Sequence, residues 1–221
     1  MKNNIDIQPL VEVVQKLRSP NGCPWDKVQT HESLRRYFIE ETYEVVDAID
    51  NKDMDNLREE LGDVLLQIVF HSSLAEESGA FTLQDVINDV TEKMIHRHPN
   101  VFPEENPDNK GKIYTWDELK AQEKGNIRKS VLDGVSKGLP ALVAAQKLQD
   151  KAGKVGFDWD ELDPIWAKVQ EEISEFKEAV ALKDRENMEK EAGDVLFSLI
   201  NLFRWYKISG ENALNRTNTK F

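Results

Sequence analysis

The chain has a single cysteine, Cys23, so it cannot hold an internal disulfide framework. It has only four histidines in 221 residues, and none follows a glutamate at the spacing that di-iron carboxylate bundles require. Its longest apolar runs fall far short of a membrane span, and the N-terminal Met1–Leu10 stretch carries no apolar leader. Positive charge is also scarce. With 29 Lys and Arg against 41 Asp and Glu, the formal charge is −12. Such a balance argues against nucleic acid as the main partner, because phosphate backbones are bound by basic patches. A phosphorylated small molecule is still accessible to an acidic protein if divalent cations lie between them. The expected compartment is the cytoplasm, with no membrane association.

What is abundant is helical amphipathicity. Leu10, Val13, Val14 and Leu17 predict a short first helix, stopped by Ser19-Pro20-Asn21-Gly22. Cys23-Pro24-Trp25-Asp26 reads as a loop. A helix from about Thr30 to Ile49 places Leu34, Phe38, Val45 and Ala48 on one face, with Glu41 in the same stripe. The next, from about Asp55 to Ser78, turns Leu57, Leu61, Val64 and Ile68 inward and ends at Gly79. Thr82 opens a further helix that closes before Pro99. A proline-rich loop over 99–113, a short helix over 116–124 and a glycine-rich connector come next. Helices are then expected over 139–151, from Asp163-Pro164 to about Leu182, and from about Asp184 to Ile208, with Gly210 as the stop. No convincing alternating strand pattern appears, so the fold class is all-α. The expected domains are 1–125 and 139–221, joined by a connector at 126–138.

The two halves repeat each other. Glu41, Glu44, Glu60 and Asp63 return as Glu172, Glu175, Glu191 and Asp194, each 131 residues later. Gln15-Lys16-Leu17 and Gly62-Asp63-Val64-Leu65 recur at the same offset. Each acid pair is three residues apart and so shares a helix face. Both pairings in the first set are symmetric about residue 52, and both in the second about residue 183. Helical hairpins folded there would bring four carboxylates together twice. Such convergence is unfavourable without compensating cations. An all-oxygen set favours Mg²⁺, or Mn²⁺, over zinc. Lys168 and Asn187 lie one turn before Glu172 and Glu191, where they could meet a phosphate or sugar. Gly62 and Gly193 would let another helix or a ligand approach closely. A single ExxE on a helix is usually a solvated face; a duplicated, hairpin-symmetric set of four acids is not. Cys23 is expected to be packed rather than nucleophilic, and His96 and His98 have poor metal-binding geometry.

Particular segments carry a family resemblance. They are Gly22-Cys23-Pro24-Trp25-Asp26 with Gln29-Thr30-His31, the two EExxE…ExxD sets, Arg97-His98-Pro99-Asn100-Val101-Phe102, and Val155-Gly156-Phe157-Asp158-Trp159. Together they resemble the two-domain form of the MazG family of nucleoside triphosphate pyrophosphohydrolases over essentially the whole chain. The resemblance implies an all-α fold in which motif-bearing hairpins pack as four-helix units in a homodimer. It implies Mg²⁺-dependent hydrolysis of NTPs and dNTPs to the monophosphate and pyrophosphate. It assigns metal binding to Glu172, Glu175, Glu191 and Asp194, with Glu41, Glu44, Glu60 and Asp63 as a second candidate set. Glu171, Glu172 and Glu175 become the catalytic candidates, and Lys168, Asn187, Lys190 and Lys220 the nucleotide contacts. Similar proteins continue beyond the position of Lys220-Phe221 with arginines, so the second site is expected to lack part of a basic clamp. The competing reading is a nucleotide-binding regulatory protein with little turnover. A structural adaptor is disfavoured by the symmetry of the acids.

Overall fold

The computed structural model describes residues 5–106 and 130–221. The short helix expected over 116–124 lies outside the described residues. All regular structure among the described residues is helical, and it falls into two compact units, one on each side of the gap.

The first unit contains α1 (Gln8–Arg18), α2 (Pro24–Lys27), α3 (His31–Asn51), α4 (Met54–Glu77) and α5 (Leu83–His96). The antiparallel hairpin of α3 and α4 is its centre, with α1 and α5 packed on α4. Thr30 caps α3 in a reciprocal box with Ser33, and Thr82 caps α5 in the same way with Asp85. Val14, Leu34, Val69 and Phe70 form the core, flanked by Leu10, Val11 and Tyr37. Two expected inward residues are not inward: Val13 is 53% and Leu61 52% exposed. Val11 takes the inner place on α1, because the stripe facing α4 runs through 7, 10, 11 and 14. Cys23-Pro24-Trp25-Asp26 is not plain loop either. Pro24 starts the single-turn α2, its fixed φ suiting a first helical position.

The second unit contains α6 (Ala141–Gly153), α7 (Leu162–Leu182), α8 (Arg185–Trp205) and α9 (Gly210–Lys220). Its hairpin is α7 with α8, and α6 and α9 pack against α8 and each other. Ile165, Val169 and Leu202 form a buried cluster. Two boundaries differ from expectation. Helix α7 begins at Leu162 after the cap position Glu161, which puts Asp163 in the first turn rather than at the cap. Gly210 opens a helix instead of ending one. The Ser209 side chain accepts from the Asn212 amide, and a Cβ at Gly210 would overlap Ile200 Cδ1. The glycine allows α9 to start directly against α8. On the N-terminal side, Lys151 Nζ donates to the carbonyls of Val131 and Asp133, which fastens the described end of the connector to this unit.

The hairpins turn where the acid symmetry requires. Lys52 has φ 57° and Lys183 φ 56°, both left-handed. Asp53 and Asp184 then cap the second helix of each hairpin. A left-handed lysine costs roughly 1–2 kcal/mol, which the two helices closing on each other must offset. At the far end of the first hairpin, His31 and His71 meet Nδ1 to Nδ1 at 2.7 Å. Their ring planes differ by 11° and their centroids lie 5.0 Å apart. That separation is the nitrogen contact plus one ring radius on each side, so the rings meet edge to edge through one hydrogen-bonded proton. Leucines 162 and 202 hold these positions in the second unit.

Candidate metal and nucleotide site

The carboxylates converge in both units. In the first, Glu41, Glu60 and Asp63 each bring one oxygen within 4.8 Å of the others. Glu44 interacts with both Glu41 and Glu60 at the edge of this set. In the second, the trio is Glu172, Glu175 and Glu191. Asp194 stands outside that trio and lines the adjoining cavity. The hairpin turns set the register, and the i to i+3 spacing keeps each pair on the inner face.

The two clusters differ in what balances their charge. Lys168 Nζ lies 2.7 Å from Glu172 and 2.9 Å from Glu171. Lys190 Nζ lies 3.1 Å from Glu191. These bonds raise both lysines, Lys168 well above the ordinary range. In the first unit, 131 residues earlier, the same positions are Tyr37 and Glu59. With no such lysine, Glu41 is pushed up to about 7, first by burial and then by Asp63, Glu44 and Glu60. Glu60 and Glu175 are also raised, each by burial first and by neighbouring carboxylates next.

Glu172 and Glu191 are the buried members of the second trio, at 7% and 5% exposure. The Oε2 atom of Glu191 is sealed from solvent without a hydrogen-bond partner. Burying an unpaired carboxylate oxygen is costly. An oxygen-only donor set with an orphaned oxygen fits a hard divalent cation.

A cavity of about 650 Å³ opens beside this trio. Lys168, Glu172 and Asp194 form its charged end, while Phe157, Trp159 and Phe197 supply aromatic wall. The equivalent positions of the first unit are used differently. Phe70 replaces Asn201 and is a core residue at 4% exposure. Arg18 replaces Gln149, lies over the Phe70 ring and pairs with Glu77. Tyr37 packs edge-on against Trp25. At these positions the first unit therefore has side chains packed on one another where the second has residues lining the cavity.

Most site residues expected from sequence stand at or beside the cluster. Asn187 lies in the first turn of α8, its amide bonded to Asp184. Lys220 is the last residue of α9 and exposed. Asn187, Lys190 and Lys220 lie outside the cavity wall. Sequence reasoning gave no site role to Gln149, Asn201 and Arg204, nor to Asp158, which it named only within the segment 155–159. The Arg204 guanidinium forms a two-pronged pair with Asp158, Nη1 to Oδ2 at 2.9 Å and Nη2 to Oδ1. For Asn201 and Arg204 the hint in the sequence is that they replace Phe70 and Ser73 at the repeat offset.

The fold and the site define an all-helical, internally duplicated protein with an acidic cluster in each hairpin. Comparison with known sequences then identifies the family. The MazG nucleotide pyrophosphohydrolase domain matches residues 29–102 and 162–221. The chain is 48% identical over 215 residues to the nucleoside triphosphate pyrophosphohydrolase/pyrophosphatase MazG of Thermotoga maritima, covering 97% of this chain and 82% of that one. It is 42% identical over 220 residues to a nucleoside triphosphate pyrophosphohydrolase of Escherichia coli, with 97% and 84% covered. It is also 50% identical over 211 residues to the uncharacterized protein YabN of Bacillus subtilis, covering 95% of this chain and 43% of that protein. The chain belongs to the MazG family.

Proposed function

We propose that this protein hydrolyses nucleoside triphosphates at the α–β phosphoanhydride, releasing the monophosphate and pyrophosphate, and that the second unit carries the reaction. One observation supports this most directly. The Glu172–Glu175–Glu191 cluster adjoins a cavity that runs from charged residues to an aromatic wall. The names of the similar proteins point to the same activity.

Glu172, Glu175 and Glu191, with Asp194 alongside, are the residues that would hold Mg²⁺. When bound, the ion screens the phosphates from the carboxylates and polarises a phosphoryl oxygen. Lys168 is placed to exchange a carboxylate partner for a phosphate oxygen and so anchor the triphosphate. That exchange releases Glu171, which is exposed and otherwise bonded to Lys168. Glu171 or Glu175 then accepts the proton of the attacking water as the phosphorus–oxygen bond of the anhydride breaks. The raised Glu175 carboxyl suits a proton acceptor nearer neutrality. Positioning and charge stabilisation supply most of the acceleration in phosphoryl transfer, so no further nucleophile is needed.

We also propose a homodimer. Ile39, Leu61 and Leu65 on the first hairpin, and Trp166 and Leu196 on the second, are large apolar residues left exposed. A Cβ on Gly62 or Gly193 would meet nothing within 4 Å, which leaves room for an approaching helix. The domain limits 1–125 and 139–221 are part of the same proposal.

The test is incubation with a panel of NTPs and Mg²⁺, separating monophosphate plus pyrophosphate from diphosphate plus phosphate. Glu172→Gln is expected to abolish turnover, and Glu41→Gln to leave most of it. Loss in Glu41→Gln alone would move the reaction to the first unit. Tight nucleotide binding without product would favour the regulatory reading.

A further inference from the structure

We infer that the aromatic end of the second unit's cavity seats the nucleobase, and that Asn201 is a specificity-determining residue favouring bases with a carbonyl at the edge far from the sugar. The inference deepens the pyrophosphohydrolase reading and rests on it.

Position comes first. Asp194 and Asn201 are seven residues apart on α8, so they share a face and stand about 10 Å apart along the axis. Phe197 lies between them and lines the same cavity. A nucleotide with its phosphates at Lys168, Glu172 and Asp194 therefore has its base directed along this stripe. Phe157, Trp159 and Phe197 are substantially exposed at 82%, 42% and 45%. They offer flat apolar surface on which any base can stack.

The hydrogen-bonding capacity of that end is fixed by Arg204. A guanidinium only donates, so the Asn201 amide must turn its oxygen to it. Arg204 Nε and Nη2 reach Asn201 Oδ1 at 3.1 and 2.8 Å. The Asn201 Nδ2 group is left with no partner among the described residues, and it is not sealed from solvent. The neighbouring polar side chains are each committed to partners within the protein. Asp158 accepts from Arg204 and from the Trp159 amide. Ser198 is buried at 8% exposure and donates its hydroxyl proton to the Val195 carbonyl. Gln149 donates to the Phe197 carbonyl, and its own oxygen is sealed beneath the wall. The other uncommitted side-chain group, the Trp159 indole N–H, is again a donor only.

A pocket end whose two uncommitted side-chain groups, the Asn201 amide and the Trp159 indole, are both donors distinguishes bases by their outermost substituent. A carbonyl there accepts from Asn201; an amino group meets it donor to donor. Bases with the amino group lose the bond and leave the amide unsatisfied. The first unit has no counterpart of this device, since Phe70 and Ser73 replace Asn201 and Arg204.

The cleanest test compares ITP with ATP and UTP with CTP, pairs that differ at this edge. Wild-type kcat/KM is expected to favour ITP and UTP by about three- to tenfold, the range one hydrogen bond carries. Asn201→Leu should level both ratios. Asn201→Asp keeps an oxygen on Arg204 and turns the free group into an acceptor, so it should invert them. Binding of the α,β-methylene analogues, read by titration calorimetry, gives the same ratios without turnover. Thermal melting and Mn²⁺ binding establish that each variant is folded with its acidic cluster intact; if one fails to fold, the other decides. Folded variants that keep the wild-type ratios, or a wild type that prefers the amino bases, overturn the role of Asn201 and leave the hydrolase reading standing. A wild type that neither binds nor hydrolyses any nucleotide overturns both.

Discussion

Lys168 Nζ stands 2.7 Å from Glu172 Oε1, where the first unit places Tyr37 one turn before Glu41. An ammonium pairs with a buried carboxylate in one unit, and in the other, without it, burial and neighbouring carboxylates raise Glu41 to about 7. Lys168→Met is expected to lower kcat/KM for NTPs by about 10²- to 10³-fold, the usual loss on removing one charge-stabilising donor. The charge-preserving Lys168→Arg should recover part of it. Steady-state kinetics across both variants checks this, and unchanged kinetics in Lys168→Met would rule out the phosphate contact.

The first cluster makes stability depend on pH. Glu41 is raised from 4.5 to about 7 in the folded protein, so the folded state binds its proton more tightly than the unfolded chain. Its stabilising contribution is therefore full below about 4.5 and is lost as pH rises through about 7. In chelator, the melting temperature of the first unit should fall over that window. Glu41→Gln removes the titration and should flatten the profile. A divalent cation bound at this cluster would reverse the trend, because the ion competes with the proton. Calorimetry from pH 4 to 8 on both proteins, with and without Mg²⁺, provides the measurement.

Gly153 ends α6 directly against the Asp158–Arg204 pair. A Cβ there would lie 2.7 Å from Asp158 Oδ2 and 3.3 Å from Arg204 Nη1. Gly153→Ala should therefore displace the carboxylate and destabilise the second unit by about 1–3 kcal/mol. Arg204 anchors the Asn201 amide, so base discrimination should weaken in the same variant. Gly156 is a useful contrast. Its Cβ would meet nothing, but its φ of +83° penalises any side chain through the backbone instead.

Leu61 and Leu196 are 52% and 54% exposed, and they sit beside the open faces of Gly62 and Gly193. Burying such a side chain contributes about 1.5–3 kcal/mol, so several together are worth a stable interface. Sedimentation of the wild type should give a dimer. Leu196→Asp, which places an unpaired charge on that face, should shift it toward monomer at micromolar concentration. A wild-type monomer at high concentration would refute the dimer.

Much of this architecture is legible without coordinates. Hairpin symmetry comes from arithmetic, since acids paired about residues 52 and 183 converge wherever two helices fold back at those points. Lys52 and Lys183 take up the left-handed turn, and Asp53 and Asp184 cap α4 and α8. Helical periodicity carried most of the elements because the apolar stripe is a local property. It misjudged Leu61, which has helical spacing to the core residues but faces outward. Periodicity gives an angle around one helix and does not say which neighbours surround it. Gly210 failed for a related reason: glycine ends helices on local grounds, but here it starts one because Ile200 crowds its Cα.

The sequence by itself determined the helical class, the duplication and the two sets of convergent carboxylates. All three depend on spacing along the chain. Tertiary structure alone decided how the two clusters differ in their surroundings. Asn201, Arg204, Asp158 and Gln149 come from three separate segments of the chain, and only packing brings them round one cavity. Phe70, Arg18 and Tyr37 occupy the corresponding positions of the first unit. A repeat can conserve its acids and still differ in its free volume, because acid spacing is set within one hairpin and free volume by every side chain packed around it.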